Sequence, residues 1–376
     1  MQRVSLIAFA TYFFLAGQAP ALDRVVMQRD TGDLPLAGRI VLEADDGGLM
    51  LLEPDGKLWA IPEKDRGERK ADDVPFAPLS AAEASERLLE ELPGFSIHRT
   101  SHYIVCYNTS RAYAQWCGAL FERLHRGFHN YWNQREFDLH ESEFPLVAMV
   151  FADQESYESY ARPEVGDAIE SIVGYYSLHT NRMTMYDLTG HEALRRSGDR
   201  RGSAEQINQM LARPGAQAAV ATVIHEATHQ LAFNCGLQQR HADVPLWVSE
   251  GIAIFFETPD LKSSTGWRTI GAVNRIRLDN FRAYLARRPE DSLESLLASD
   301  NRLRDPRTAV DAYAESWALT YFLLRQRPKQ FHAYLKIVSQ PRAISPELRL
   351  REFKQAFGED LEVLDAEFLR HIRKVR

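Results

Sequence analysis

His225-Glu226-Ala227-Thr228-His229, set in the run from Ala216 to Asn234, is the stretch on which the fold turns. The run reads as one helix. Pro214-Gly215 precedes it, Ala221, Ile224, Thr228 and Leu231 form an inward stripe, and Gly236 is placed to stop it. Positions four apart on a helix share a face, so the His225 and His229 imidazoles point the same way. That geometry suits two ligands of one Zn2+ ion, with Glu226 between them to handle a proton.

A catalytic zinc needs a third protein ligand and an open position. Working outward from the histidines, the next helix supplies it. Pro245 stands at a favourable first-turn position, and Trp247-Val248-Ser249-Glu250-Gly251-Ile252-Ala253 follows. A mostly polar connection from Cys235 to Val244 lets the two helices pack as neighbours, with Glu250 opposite the two histidines. Gly251 and Ala253 are small enough to allow close approach. Glu257, seven residues after Glu250, lies on the same face. It is read either as an acceptor for a ligand imidazole N–H or as a solvated glutamate.

His125 and His129 also stand four apart on a predicted helix. Arg126 occupies the place of a base there, and its fixed charge disfavours a cation. They read as packing or surface histidines. Ser249 lies in no Gly-x-Ser-x-Gly elbow, and the chain has no glycine-rich phosphate loop.

The 376 residues are 45% hydrophobic and 26% charged, as in an ordinary globular protein, and a formal charge of -7 argues against nucleic acid as a partner. Arg3, the apolar run Val4 to Gly17 and Ala19-Pro20-Ala21 read as an export signal over residues 1–21, cleaved near Ala21. Beyond it no segment is long and apolar enough to span a bilayer, so a periplasmic or extracellular location is expected. Cys106 and Cys117 are the nearest pair for a disulfide, but both, like Cys235, also read as small buried hydrophobes.

Along the chain, Arg39–Ala44, Leu49–Glu53 and Leu58–Ile61 read as a meander, giving a small β domain over 22–61. Residues 62–79, charged and without periodicity, read as a linker. A helix capped by Ser80 and Glu83 runs to about Leu92, and one capped by Thr109 or Ser110 runs to about Trp132. His102–Tyr107 and Leu146–Phe151 are apolar strands, and Ile172–Leu178 with Arg182–Asp187 looks like a hairpin. Strands first and helices later make an α+β domain over 80–376, with a sheet part to 190 and a helical part from 191.

The stretch His225 to Glu257 resembles the gluzincin metallopeptidases, in which a zinc helix is followed by a Glu-Gly-x-Ala helix. The chain between about 95 and 335 resembles the exported peptidase-MA-like proteins, the group described as domain of unknown function 1570. The resemblance implies a zincin-like domain in which His225, His229 and Glu250 hold zinc and Glu226 is the general base. It also implies that Tyr313, opening Tyr313-Ala314-Glu315-Ser316-Trp317-Ala318-Leu319, aims its phenol at the oxyanion, although a tyrosine of the helical core reads the same way. The expected activity is hydrolysis of peptide bonds in a peptide or protein substrate. Two competing expectations stand beside it: a binding or assembly module with structural zinc, and zinc hydrolysis of a non-peptide bond.

Overall fold

The computed structural model describes residues 21–190 and 201–376, apart from 259, 262, 264–266 and 343. The expected export signal lies outside these residues except for Ala21. The chain divides into two units between Pro78 and Leu79, with Asp55–Leu58 counted in the second.

The first unit is a five-stranded sheet in the order β4-β3-β2-β1-β5. Its strands are β1 (Ala21–Met27), β2 (Leu34–Glu43), β3 (Leu49–Leu52), β4 (Leu58–Ile61) and β5 (Arg66–Pro75). A small core of Val25, Leu36, Leu49, Leu51 and Ile61 holds it. Residues 66–75 therefore correct the linker reading: this segment is a strand paired antiparallel with β1. Its sequence, RGERKADDVP, has no buried residue, so hydrogen bonding to β1 fixes it rather than an apolar face.

The second unit carries the site. It opens with α1 (Ala81–Glu91), whose Ser80 and Glu83 form a reciprocal capping box. There follow β6 (Ser96–Arg99), β7 (Tyr103–Tyr107), α2 (Arg111–Asn133), β8 (Leu146–Phe151), α3 (Gln154–Val165), β9 (Gly174–Tyr176) and β10 (Arg182–Tyr186). The sheet order is β6-β7-β8-β10-β9. Strands β7, β8 and β10 run parallel to one another and are buried at every residue, as strands covered on both faces must be. The outer two are antiparallel to their neighbours, so β9 is an edge.

From there the chain is helical, as expected for an α+β protein: α4 (Ala204–Leu211), α5 (Gln217–Asn234), α6 (Leu246–Phe256), α7 (Arg275–Tyr284), α8 (Ser292–Ala298), α9 (Asn301–Arg304), α10 (Ala309–Gln326), α11 (Pro328–Val338), α12 (Pro346–Phe357) and α13 (Leu361–Lys374). Helix α6 is the hub, because it packs on both α5 and α10. Its Gly251 corrects one expectation. The close approach that glycine allows is to α10, where an added Cβ would lie 2.8 Å from the Ser316 carbonyl oxygen and against the Thr320 hydroxyl. The three cysteines are free and buried.

Candidate metal centre

Helix α5 ends at Asn234, and Gly236 follows with a φ of +87°, a conformation glycine adopts without a Cβ penalty. The helix is fastened to the sheet by amide side chains. Gln230 Nε2 donates to the carbonyls of Val147 at 2.9 Å and Asn181 at 3.1 Å. Asn181 and Asn234 exchange reciprocal amide hydrogen bonds of 2.9 and 2.7 Å. Asn181, at a φ of +60°, makes the turn between β9 and β10, so the hairpin and the histidine helix form one fixed body.

On the face of α5 toward α6, the Nε2 atoms of His225 and His229 lie 3.0 Å apart. Glu250 reaches both, with Oε2 3.0 Å from His225 Nε2 and Oε1 3.5 Å from His229 Nε2. One ligand atom from each of the three lies within 4.8 Å of the others. Helix α6 reads LWVSEGIAIFF, and its apolar side chains are buried at nearly every position. Burying a lone carboxylate costs several kcal/mol, whereas each buried Trp, Ile or Phe contributes about 1.5–3 kcal/mol. The helix is held by its apolar residues, and Glu250 must be matched by positive charge.

Each ring nitrogen facing away from the triad also has a partner. His225 Nδ1 is 2.8 Å from Glu257 Oε1, and Asn274 Nδ2 donates to Glu257 Oε2 at 3.1 Å. His229 Nδ1 is 3.2 Å from Ser249 Oγ, which donates in turn to Gln238 Oε1 at 3.3 Å. These contacts place the ring protons on Nδ1 and leave both Nε2 lone pairs free to converge, the form in which imidazole binds a metal. Of the two readings for Glu257, the acceptor is the one found.

The charges respond accordingly. Burial opposes protonation of His225, but the hydrogen bonds and charges of Glu250 and Glu257 outweigh it and hold its pKa well above the ordinary value. For Glu250, burial pushes the pKa up, and His229 and His225 pull it far below the carboxylate range. The site attracts one positive charge, as a proton or as a cation. Glu226 differs: burial raises its pKa against the opposing pull of the two histidines, and the Tyr176 N–H at the edge strand donates to its Oε2 at 2.8 Å. Tyr313, on α10, belongs to the same neighbourhood. The Glu250 charge, then burial, then the Glu226 charge raise its phenol pKa, so it stays a hydrogen-bond donor across the physiological range. The Arg277 guanidinium stands 5.7 Å from its ring centroid.

The donor set fits a divalent metal: two imidazoles, each oriented from behind, and one carboxylate. Glu257→Gln should therefore lower metal affinity about 10- to 100-fold while the fold is kept, as read by competition with a chromogenic chelator. An unchanged affinity would leave Glu257 without a role in holding His225.

Of the residues expected at the site, the structure brings His225, His229 and Glu250 within reach of one another, Glu226 stands between the two histidines on α5, and Tyr313 lies near enough for the Glu250 and Glu226 charges to act on its phenol. Sequence reasoning missed Tyr176, whose contribution is a backbone N–H, and Ser249 with Gln238, whose pairing depends on the α5–α6 connection. His125 is buried. Burial and then the charges of His102 and His129 push its pKa down to about 3.

These features define an α+β protein with a His-His-Glu group able to hold a metal. Residues 219–344, which include the whole triad and Tyr313, match the family described as "Protein of unknown function (DUF1570)". No curated protein matches the chain. Among the described residues no helix is long and apolar enough to cross a membrane.

Proposed function

We propose that the chain is an exported zinc-dependent metallopeptidase that hydrolyses peptide bonds, with His225, His229 and Glu250 as metal ligands. One observation carries this reading: a three-sided donor set has a partly buried carboxylate of raised pKa beside it, Glu226, anchored to an edge strand. A structural zinc is closed by four protein ligands, and among the described residues this group has three. A structural site also has no use for Glu226.

When bound, the cation supplies Lewis acidity to water and to the scissile carbonyl. The chain's own groups do the rest. Glu226 accepts the proton of the attacking water and delivers it to the leaving amine, so one carboxylate serves both half-reactions. Its raised pKa suits that exchange. Tyr313 donates a hydrogen bond as charge develops on the substrate oxygen. Edge strand β9 offers backbone groups to an extended peptide. Beside the triad, a cleft lined by Ala218, Ala221, Thr222, Glu257, Asn274 and Arg277 gives room for side chains.

A peptide-library digest with the purified chain should yield cleavage products that vanish with a chelator and return with Zn2+. Metal analysis run in parallel should find zinc. Zinc bound without cleavage of any peptide would favour the assembly module.

A further inference from the structure

A second group of metal-binding side chains gathers where α2 passes the turn between β6 and β7. His102 lies in that turn, His125 on α2, and Glu141 in the segment joining α2 to β8. One ligand atom from each lies within 4.8 Å of the others. His102 Nε2 is 3.8 Å, and His125 Nε2 3.6 Å, from the same Glu141 Oε2. In a tetrahedral site with bonds near 2.0–2.2 Å, donors stand roughly 3.3–3.5 Å apart. A shift of a few tenths of an ångström by the exposed Glu141 carboxylate closes that difference.

His102 is prepared from behind in the same way as His225. Its Nδ1 stands 2.7 Å from Glu122 Oε2. The other oxygen of Glu122 accepts from the Thr100 hydroxyl at 2.6 Å and the His102 N–H at 2.8 Å. Held so, Glu122 keeps the ring proton on Nδ1 and turns the Nε2 lone pair toward Glu141. The His102 and His125 rings stack with centroids 3.8 Å apart. For both lone pairs to meet one ion His125 must turn, because His102 is clamped. One turn along α2, the His129 ring lies 4.3 Å from that of His125, and its Nε2 is buried with no hydrogen-bond partner. Such an atom costs about 1–3 kcal/mol unless something binds it.

We propose that His102, His125 and Glu141 bind a second divalent cation of the zinc type, with Glu122 as the orienting acceptor. The ion fastens the α2–β8 connection to the sheet. That connection also closes the end of α5: the His140 N–H donates to the Cys235 carbonyl at 3.0 Å, and the His140 ring stands 2.8 Å from where a Cβ on Gly236 would lie. Three protein ligands leave this second ion one position for water, so it is an accessory ion rather than a closed structural zinc. By holding the α2–β8 connection it steadies the C-terminal end of the helix that carries His225 and His229.

The test is Zn2+ stoichiometry of the metal-stripped full chain by equilibrium dialysis. Glu141→Gln sits on a side chain 72% exposed, so it does not threaten the fold. The parent should hold one equivalent more than E141Q, or E141Q should bind that equivalent at least tenfold more weakly. Glu250→Gln should remove a different equivalent, and the double variant should lose both. Zn2+ should also raise the Tm of E250Q but not that of E141Q/E250Q. An E141Q chain that binds as many ions as tightly as the parent overturns the proposal, whatever E250Q does. Loss at E250Q alone bears only on the first site.

Discussion

Glu226→Gln should keep its metal and lose its hydrolysis, with peptide cleavage falling about 10²- to 10⁴-fold. The substitution preserves shape. The amide oxygen still accepts the Tyr176 N–H that now reaches Glu226 Oε2 at 2.8 Å, so the side chain stays where it is. What disappears is the ability to take a proton from water and return it to an amine. None of His225, His229 or Glu250 is changed, so zinc content measured by atomic emission should equal that of the parent. Tyr313→Phe makes the contrast. Losing one oxyanion donor should reduce kcat about 10²- to 10³-fold with little change in KM, because the ground-state carbonyl needs that bond less. If E226Q, fully loaded with metal, cleaves as fast as the parent, the base is misassigned.

How far this site was legible follows from how local each part is. The two histidines belong to one helical turn, so their spacing alone places them on one face, and α5 begins within a residue of its expected start. Glu250 was legible because it stands near the start of the next helix, after a connection that lets that helix pack beside α5 with its carboxylate opposite the two histidines. Tyr176 was not, since any residue at that position of β9 would present the same N–H. Nor was Glu122 behind His102, a pairing twenty residues apart that depends on how α2 crosses the sheet. Strand β5 escaped because its exposed, charged residues carry no alternation. Its structure comes from a partner strand 39 to 54 residues away in sequence. Gly251 shows the same limit: smallness is visible in the sequence, but the helix that uses it, α10, is not.

A second large effect is expected far from the triad, at Glu91. Its carboxylate accepts two hydrogen bonds from Arg182, one at 3.2 Å and one at 2.5 Å, and a third at 3.0 Å from Lys57. Arg182 heads β10, its side chain only 5% exposed, and its carbonyl receives the Ser177 N–H of the turn that leads back to Tyr176. The pair therefore anchors the hairpin on which Glu226 rests. Burial raises the Glu91 pKa, but Arg182 and Lys57 outweigh it and bring the value from the ordinary 4.5 down to about 2. Because the folded pKa is depressed, this stabilisation is complete above pH 4.5 and is lost as pH falls through about 2. A shift of that size corresponds to about 2–3 kcal/mol after allowance for the partly exposed carboxylate. Glu91→Gln should lower the unfolding free energy at pH 7 by about that amount, since among the described residues it leaves the buried guanidinium with Asp55, at 3.8 Å, as its remaining carboxylate partner. It should also flatten the acid dependence of stability between pH 5 and 2 relative to the parent. Urea unfolding followed by tryptophan fluorescence reports on this unit through Trp116, Trp132, Trp247 and Trp317, all buried in its core. Equal stability of E91Q and the parent at pH 7, with the same acid slope, would mean that the Arg182 pair does not hold the strand, and that α5 and its amide contacts do so alone.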